Sequence, residues 1–228
     1  LIPEVNPDHL ALIDVQRQKG WKGSLVTNPN CSTIVMVLSL KPLLDAFGIR
    51  DVKVATMQAV SGAGFTGVSS MDILDNVIPY IGKEESKMET EPMKLLGTFD
   101  GNKINYAEFG VSALCTRVPV IDGHTESIFI ELEQDPSVEE FTEALRTFSG
   151  LPQELNLPSA PKRPIEIRDV PLPRMHRDLG NGMSVTAGRI EKVAPHKFKY
   201  VVMGHNTIRG AVGASILNAE LLAEKKYV

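Results

Sequence analysis

The sequence predicts an α+β fold built around one large sheet covered by helices. Three observations carry that prediction. Strand-like and helix-like segments alternate through the first half of the chain, and strand-like segments then cluster. His124 to Leu132 alternates cleanly, with Ile128, Ile130 and Leu132 on one side and Phe129, Glu131 and Glu133 on the other. No internal repeat, low-complexity tract or composition break divides the 228 residues into two full domains.

The elements follow in order. His9 to Gln18 has helical spacing in Leu10, Leu12, Ile13 and Val15, and Gly20 fits its C-terminal cap. Gly23 to Thr27 reads as a short apolar strand, followed by turn chemistry at Asn28-Pro29-Asn30. Cys31 to Phe47 reads as a helix ended by Gly48, with Pro42 expected to kink or split it. Asp51 to Val60 is β-branched and apolar, a strand. Ser61 to Gly67 is a glycine-rich loop. Glu84 to Leu96 suits a helix that Pro92 should break, and Val111 to Val120 suits a strand. Ser137 to Phe148 is a helix opened by a capping box of Ser137 and Glu140. Leu151 to Pro173 is proline-rich and should cross the surface. Met183 to Val193 and Phe198 to Met203 read as strands, and Asn206 to Tyr227 as a closing helix.

Composition narrows the function classes. Apolar residues at 43% and charged residues at 23% exclude a chain that is disordered, collagen-like or coiled-coil throughout. A net charge of −4 argues against a nucleic-acid-binding field. The longest apolar-rich stretch, Ile34 to Leu40, falls far short of the ~18 residues of a spanning helix. The chain opens on no basic-then-apolar leader. Two cysteines, Cys31 and Cys115, do not make a disulfide framework, so the reducing cytoplasm is the expected compartment. Five histidines without metal-ligand spacing predict no metal site.

Cys31 is the most informative residue. A polar turn followed by a helix start places it at a helix N-terminus, where unpaired N–H groups would lower the thiol pKa and could bind an oxyanion. The competing reading is a small buried hydrophobe, and Cys115, within an apolar strand, keeps that reading. Arg117 and His124 flank the turn at Asp122-Gly123 and could together bind a carboxylate and shuttle a proton. Taken alone, such a turn histidine is more often inert.

Five segments occur in order: Asn28–Thr33, Gln58–Gly64, Glu91–Lys94, Arg117–Thr125 and Asn206–Gly213. Together they resemble aspartate-semialdehyde dehydrogenase of the archaeal and fungal branch, along essentially the whole chain. The resemblance implies a sheet domain like the C-terminal domain of glyceraldehyde-3-phosphate dehydrogenase. It implies an activity, the NADP-dependent interconversion of aspartyl 4-phosphate with aspartate 4-semialdehyde and phosphate, in the pathway to lysine, threonine and methionine. Cys31 would be the nucleophile that forms a thioester, His124 the general acid/base, and Gln58 the residue orienting substrate at the thiol. Arg117 would hold the α-carboxylate, Glu91 the α-ammonium and Lys94 the phosphate, with Asn30 also near the phosphate. Ser61, Gly62 and Gly64 would line the nicotinamide, and Asn206 would sit by its amide. The partners implied are small molecules and a second copy of the chain, as a homodimer or dimer of dimers, with no nucleic acid and no membrane.

The family also carries an N-terminal NADP-binding domain of Rossmann type, and no G-x-G-x-x-G follows a strand in this sequence. Leu1-Ile2-Pro3-Glu4-Val5-Asn6 is similar to the end of that domain. The resemblance therefore implies a C-terminal portion, with residues 1–30 a tail of the NADP-binding domain, 31–205 the catalytic and dimerisation domain, and 206–228 a helix returning to the NADP-binding domain. Such a chain alone should turn over poorly, and the apolar face around Ile208, Val212, Ile216 and Leu217 should be exposed or rearranged. Two alternatives stay open: a related malonyl-CoA reductase using the same cysteine, and a non-catalytic dimerisation module in which Cys31 is structural.

Overall fold

The computed structural model describes residues 1–227. Strands run β1 (Ile49–Gln58), β2 (Thr98–Phe99), β3 (Ile104–Asn105), β4 (Gly110–Arg117), β5 (His124–Leu132), β6 (Ile165–Ile167), β7 (Val185–Ala194) and β8 (Lys197–Gly204). Helices run α1 (Leu12–Gln18), α2 (Cys31–Phe47), α3 (Ser70–Ile73), α4 (Glu84–Leu95), α5 (Val138–Arg146), α6 (Leu151–Glu154), α7 (Pro173–His176) and α8 (Gly213–Glu224). β2 and β3 form a separate two-stranded hairpin, and the other strands make one sheet in the order β4-β1-β5-β8-β7-β6. The β4–β1 and β7–β6 pairs are parallel and the three between them antiparallel, so the sheet is mixed and largely antiparallel.

One face of the sheet is buried under α2. That helix is apolar nearly all round, with Ile34 to Leu38 and Leu40 fully buried, as expected of a helix inside a core. α4, α5 and the turn before α8 pack around it. The α5 capping box forms as expected, Ser137 Oγ accepting the Glu140 N–H and Glu140 Oε2 accepting the Ser137 N–H. It fixes a helix whose Phe141 stacks on Phe198 at 4.6 Å between ring centroids and meets Tyr200 edge-on at 5.5 Å. On the opposite face of the sheet Leu114 and Phe129 are half exposed.

Several expectations are corrected. Gly23 to Thr27 is not a strand: its residues are mostly exposed and pair with no other strand. The sixth strand is instead β6, inside the proline-rich stretch. Pro164 sits just before an edge strand, where its missing N–H costs no ladder hydrogen bond. Pro42 and Pro92 lie inside continuous helices. Each removes one backbone hydrogen bond, and burial of both prolines in the core holds the helices together. The closing helix begins later than its pattern suggests, because Ile208–Val212 forms a π turn before α8. Val212 and Ile216 are exposed there, while Leu217 is fully buried in a second cluster with Leu10, Ile13, Leu157, Met183 and Leu221. Among the described residues no helix is long and apolar enough to cross a membrane.

Candidate active site

Strand direction gathers the site at one end of the sheet, across the ends of four adjacent strands. β1 and β4 run parallel and end together, Gln58 paired with Arg117. β5 runs antiparallel to β1, so it begins at that end with His124, and β8 returns to it with Gly204 opposite His124. Packing of α2 across the sheet brings its first residue, Cys31, to the same place, with Cys31 Sγ 3.2 Å from His124 Nε2.

Local hydrogen bonds hold these groups. Asn30 caps α2, its Oδ1 accepting the N–H of Ser32 at 3.0 Å and of Thr33 at 3.1 Å. Its Nδ2 donates to both oxygens of Glu84 at 3.0 and 2.9 Å, and its backbone N–H donates to Glu91 Oε2 at 3.0 Å. Arg117 Nη1 donates to the Ala59 carbonyl at 2.7 Å. The Ala59 N–H donates to His124 Nδ1 at 3.0 Å. That bond assigns the neutral tautomer: Nδ1 accepts, so the proton sits on Nε2 and points at the Cys31 sulfur.

The electrostatics reverse one expectation. The helix N-terminus does not acidify Cys31. Burial, followed by the Glu84 charge, pushes the thiol up to about 11, against the smaller opposing effect of the Ser32 N–H. Burial, then Arg117 and His205, lowers His124 to about 3. The resting pair is therefore a neutral thiol accepting from a neutral imidazole.

Glu126, two residues along β5 from His124, is fully buried, and neither carboxyl oxygen has a hydrogen-bond partner. Burial raises its pKa well above the usual carboxylate range, so the acid is held neutral. Folding then takes up a proton here. The stability this group allows is fully present below the unfolded carboxyl's pKa and is lost as pH rises towards the folded value. Glu126→Gln should flatten the decline in unfolding free energy between pH 5 and pH 8 by up to about 1.4 kcal/mol per pH unit. Parallel wild-type and variant profiles in urea titrations would contradict it.

The sequence-predicted residues divide into two groups. Cys31, His124, Gln58, Arg117 and Asn30 converge. Glu91 and Lys94 do not reach the thiol: Glu91 is taken up by the Asn30 N–H, and Lys94 lines a neighbouring cavity beside Leu1 and His9. The pair that does converge is Glu84 and Lys87, joined at 3.0 Å, with Glu84 also 3.4 Å from Gln58 Nε2. This pair has the same i, i+3 spacing, two turns earlier on α4. The repeated spacing was the available signal, and the sequence alone did not rank the two copies.

On the outer side, a Cβ at Gly62 would lie 2.8 Å from Arg117 Nη1 and 3.0 Å from His124 Cε1, so the glycine lets these two side chains pack against the loop. Gly64, at φ +77°, has open space beside it and borders a shallow hollow of about 420 Å3 with Val60, Ser61, Leu74 and Ile121. Asn206 is buried and spans two turns, Oδ1 accepting the Gly123 N–H and Nδ2 donating to Ser61 Oγ, each at 2.8 Å. Among the described residues no group of three or more His, Cys, Asp or Glu side chains could hold a metal ion.

Comparison with known proteins fits this arrangement. Residues 40–209 match the family described as semialdehyde dehydrogenase, dimerisation domain. The chain is 57% identical to an aspartate-semialdehyde dehydrogenase of Archaeoglobus fulgidus, over all of this chain and 66% of that protein. It is 38% identical to the malonyl CoA reductase (NADP) of Metallosphaera sedula, again over 100% of this chain and 66% of that protein. The crystal structure of the Candida albicans aspartate semialdehyde dehydrogenase with NADP superposes with a TM-score of 0.89 at 41% identity, covering 100% of this chain and 67% of that one. The chain thus spans about two thirds of the length of the curated relatives it matches. Its mixed sheet is the C-terminal domain fold of glyceraldehyde-3-phosphate dehydrogenase. On the family match and these identities, the chain belongs to the aspartate-semialdehyde dehydrogenase family.

Proposed function

We propose that this chain carries the catalytic and dimerisation part of an enzyme that interconverts aspartyl 4-phosphate with aspartate 4-semialdehyde and phosphate. The observation that carries the reading is the Cys31 sulfur held 3.2 Å from an imidazole whose Nε2 proton is aimed at it. In the oxidative direction Cys31 Sγ, as thiolate, bonds to the aldehyde carbon, and the carbonyl electrons become an oxyanion. His124 Nε2–H is placed to stabilise that charge, since Asn30 already takes the N–H groups of Ser32, Thr33 and Ile34 at the start of α2. Departure of hydride from that carbon, as the oxyanion re-forms the carbonyl, would leave a thioester, from which phosphate displaces Cys31 as the thiolate. NADP, when bound, supplies the hydride acceptor and donor. Ser61 and the open side of Gly64 suit one wall of a nicotinamide site, with Asn206 behind Ser61.

The substrate carries one cation and two anions, and the site offers their complements. Arg117 would take the α-carboxylate, Glu84 the α-ammonium, and Lys87 the phosphate, with Gln58 orienting the reacting carbon. Glu91 then acts at one remove, through the Asn30 N–H. Glu84→Gln should lower kcat/KM by on the order of 100-fold in the natural full-length protein, while Glu91→Gln costs less than about fivefold. Equal losses in the two variants would move the ammonium site to Glu91.

Malonyl-CoA reduction through the same thiol is the second reading, favoured by the 38% identical relative. A buried carboxylate at Glu84 argues for an ammonium-bearing substrate over it. Assay of both substrates separates the two. Domain roles follow this reading: residues 1–30 close an NADP-binding domain, 31–205 form the catalytic and dimerisation domain, and 206–228 return to the NADP-binding domain. The open sheet face with Leu114 and Phe129 would meet a second copy of the chain. The reaction belongs to the cytoplasm, and this chain alone would turn over poorly.

A further inference from the structure

Arg209 is fully buried, and the mechanism above does not use it. Both ends of its guanidinium fork donate to Glu4, Nη1 to Oε1 at 2.8 Å and Nη2 to Oε2 at 2.7 Å, and the Glu4 side chain is equally buried. Arginine cannot shed its charge to escape burial, so Glu4 is the counter-charge that fixes where this side chain lies. Arg209 sits within the π turn, where the Gly210 N–H bonds to the His205 carbonyl at 3.0 Å and the Val212 N–H to the Thr207 carbonyl at 3.1 Å. Such wide turns are costly and recur beside functional sites.

The next residue, Gly210, lies directly on Cys31. A Cβ there would sit 2.7 Å from Cys31 Cβ and 3.0 Å from Cys31 Cα. Its φ needs no glycine, so the missing side chain serves the contact alone. The same segment, through Asn206, holds the Gly123 turn that leads into His124. One short stretch of backbone thus braces both partners of the thiol–imidazole pair, and its only buried charge is tied to Glu4.

We propose that Arg209 is a positioning residue for the Cys31 thiol: anchored on Glu4, it presses the Gly210 backbone against Cys31 and so sets the sulfur's distance from His124. This rests on Cys31 being the reacting thiol.

Gly210→Ala and Arg209→Lys in the natural full-length protein test it, with Cys31 alkylation by iodoacetamide as a readout that needs no substrate. Wild-type alkylation should rise about tenfold per pH unit towards pH 11. Gly210→Ala should lower the melting temperature modestly, because its Cβ overpacks against Cys31, lower kcat at least tenfold with KM within twofold at temperatures well below that melting point, and shift the alkylation profile along the pH axis. Arg209→Lys, which keeps the charge and loses the fork, should show the same kcat-selective loss. Should Arg209→Lys fail to fold, Glu4→Gln carries the same expectation. Wild-type kcat and alkylation in Gly210→Ala, or in Arg209→Lys, would overturn the proposal, as would losses of kcat that only track losses of melting temperature. Full activity in Cys31→Ser would instead overturn the reading of Cys31 itself, so the two failures are distinguishable.

Discussion

Cys31→Ser should lower kcat/KM by at least about 10^4-fold in the natural full-length protein, with melting temperature nearly unchanged. A serine hydroxyl needs a base to become a nucleophile, and the neighbouring imidazole cannot serve. His124 Nδ1 already accepts the Ala59 N–H, and Nε2 carries the proton. Taking a proton from a hydroxyl would require the other tautomer or an imidazolium, and either one breaks the Ala59 bond. A thiol escapes this constraint because it can lose its proton to solvent and meet the Nε2–H as a thiolate. Cys115→Ser is the control: Cys115 lies buried in β4, and its replacement should leave kcat within about twofold at some cost in stability. Cys31→Ser retaining more than about a hundredth of wild-type turnover would remove the thioester from the mechanism.

The second large effect is on stability. Arg209→Met leaves the Glu4 carboxylate buried without its partner, and Glu4→Leu leaves the guanidinium so. Each single change should cost about 3–5 kcal/mol. In a chain of this size that is roughly 10 °C in melting temperature. The double variant Glu4→Leu/Arg209→Met should recover most of the loss, because two apolar side chains of similar volume need no charge compensation. The measurement is a double-mutant cycle by thermal or urea unfolding. Additive losses would show that each side chain contributes packing and the pair contributes little.

Much of the fold was legible because its signals are local. The Ser137 capping box, the alternation from His124 to Leu132 and the Gly48 stop each need only a few neighbouring residues. β6 was not legible: Ile165–Ile167 is three residues long, and its partner β7 supplies the reason for its extension. The site divides the same way. Cys31 at a helix start could be read from the Asn30 cap, but the thiol's pKa depends on burial and on Glu84, which sequence proximity does not reveal. We propose Glu84 and Lys87 in place of Glu91 and Lys94 for a similar reason. Both pairs fit one helix at one spacing, and only the packing of α4 against β4 and α2 decides which turn faces the sulfur.

The sheet order has a kinetic consequence. β1 lies between β4 and β5, both of which come much later in the chain, and β5 pairs with β8 and not with its neighbours in sequence. Within the six-stranded sheet only β7 and β8 are joined by a two-residue turn, at Pro195-His196. Closing the other pairs means ordering long loops before any contact repays that entropy, which sets folding on the order of milliseconds to seconds and favours the β7–β8 hairpin as an early nucleus. Cys31 and His124 meet only when the central strands have closed. The appearance of a protected sulfur during refolding therefore marks a late event, and a half-folded chain carries an ordinary exposed thiol open to oxidation.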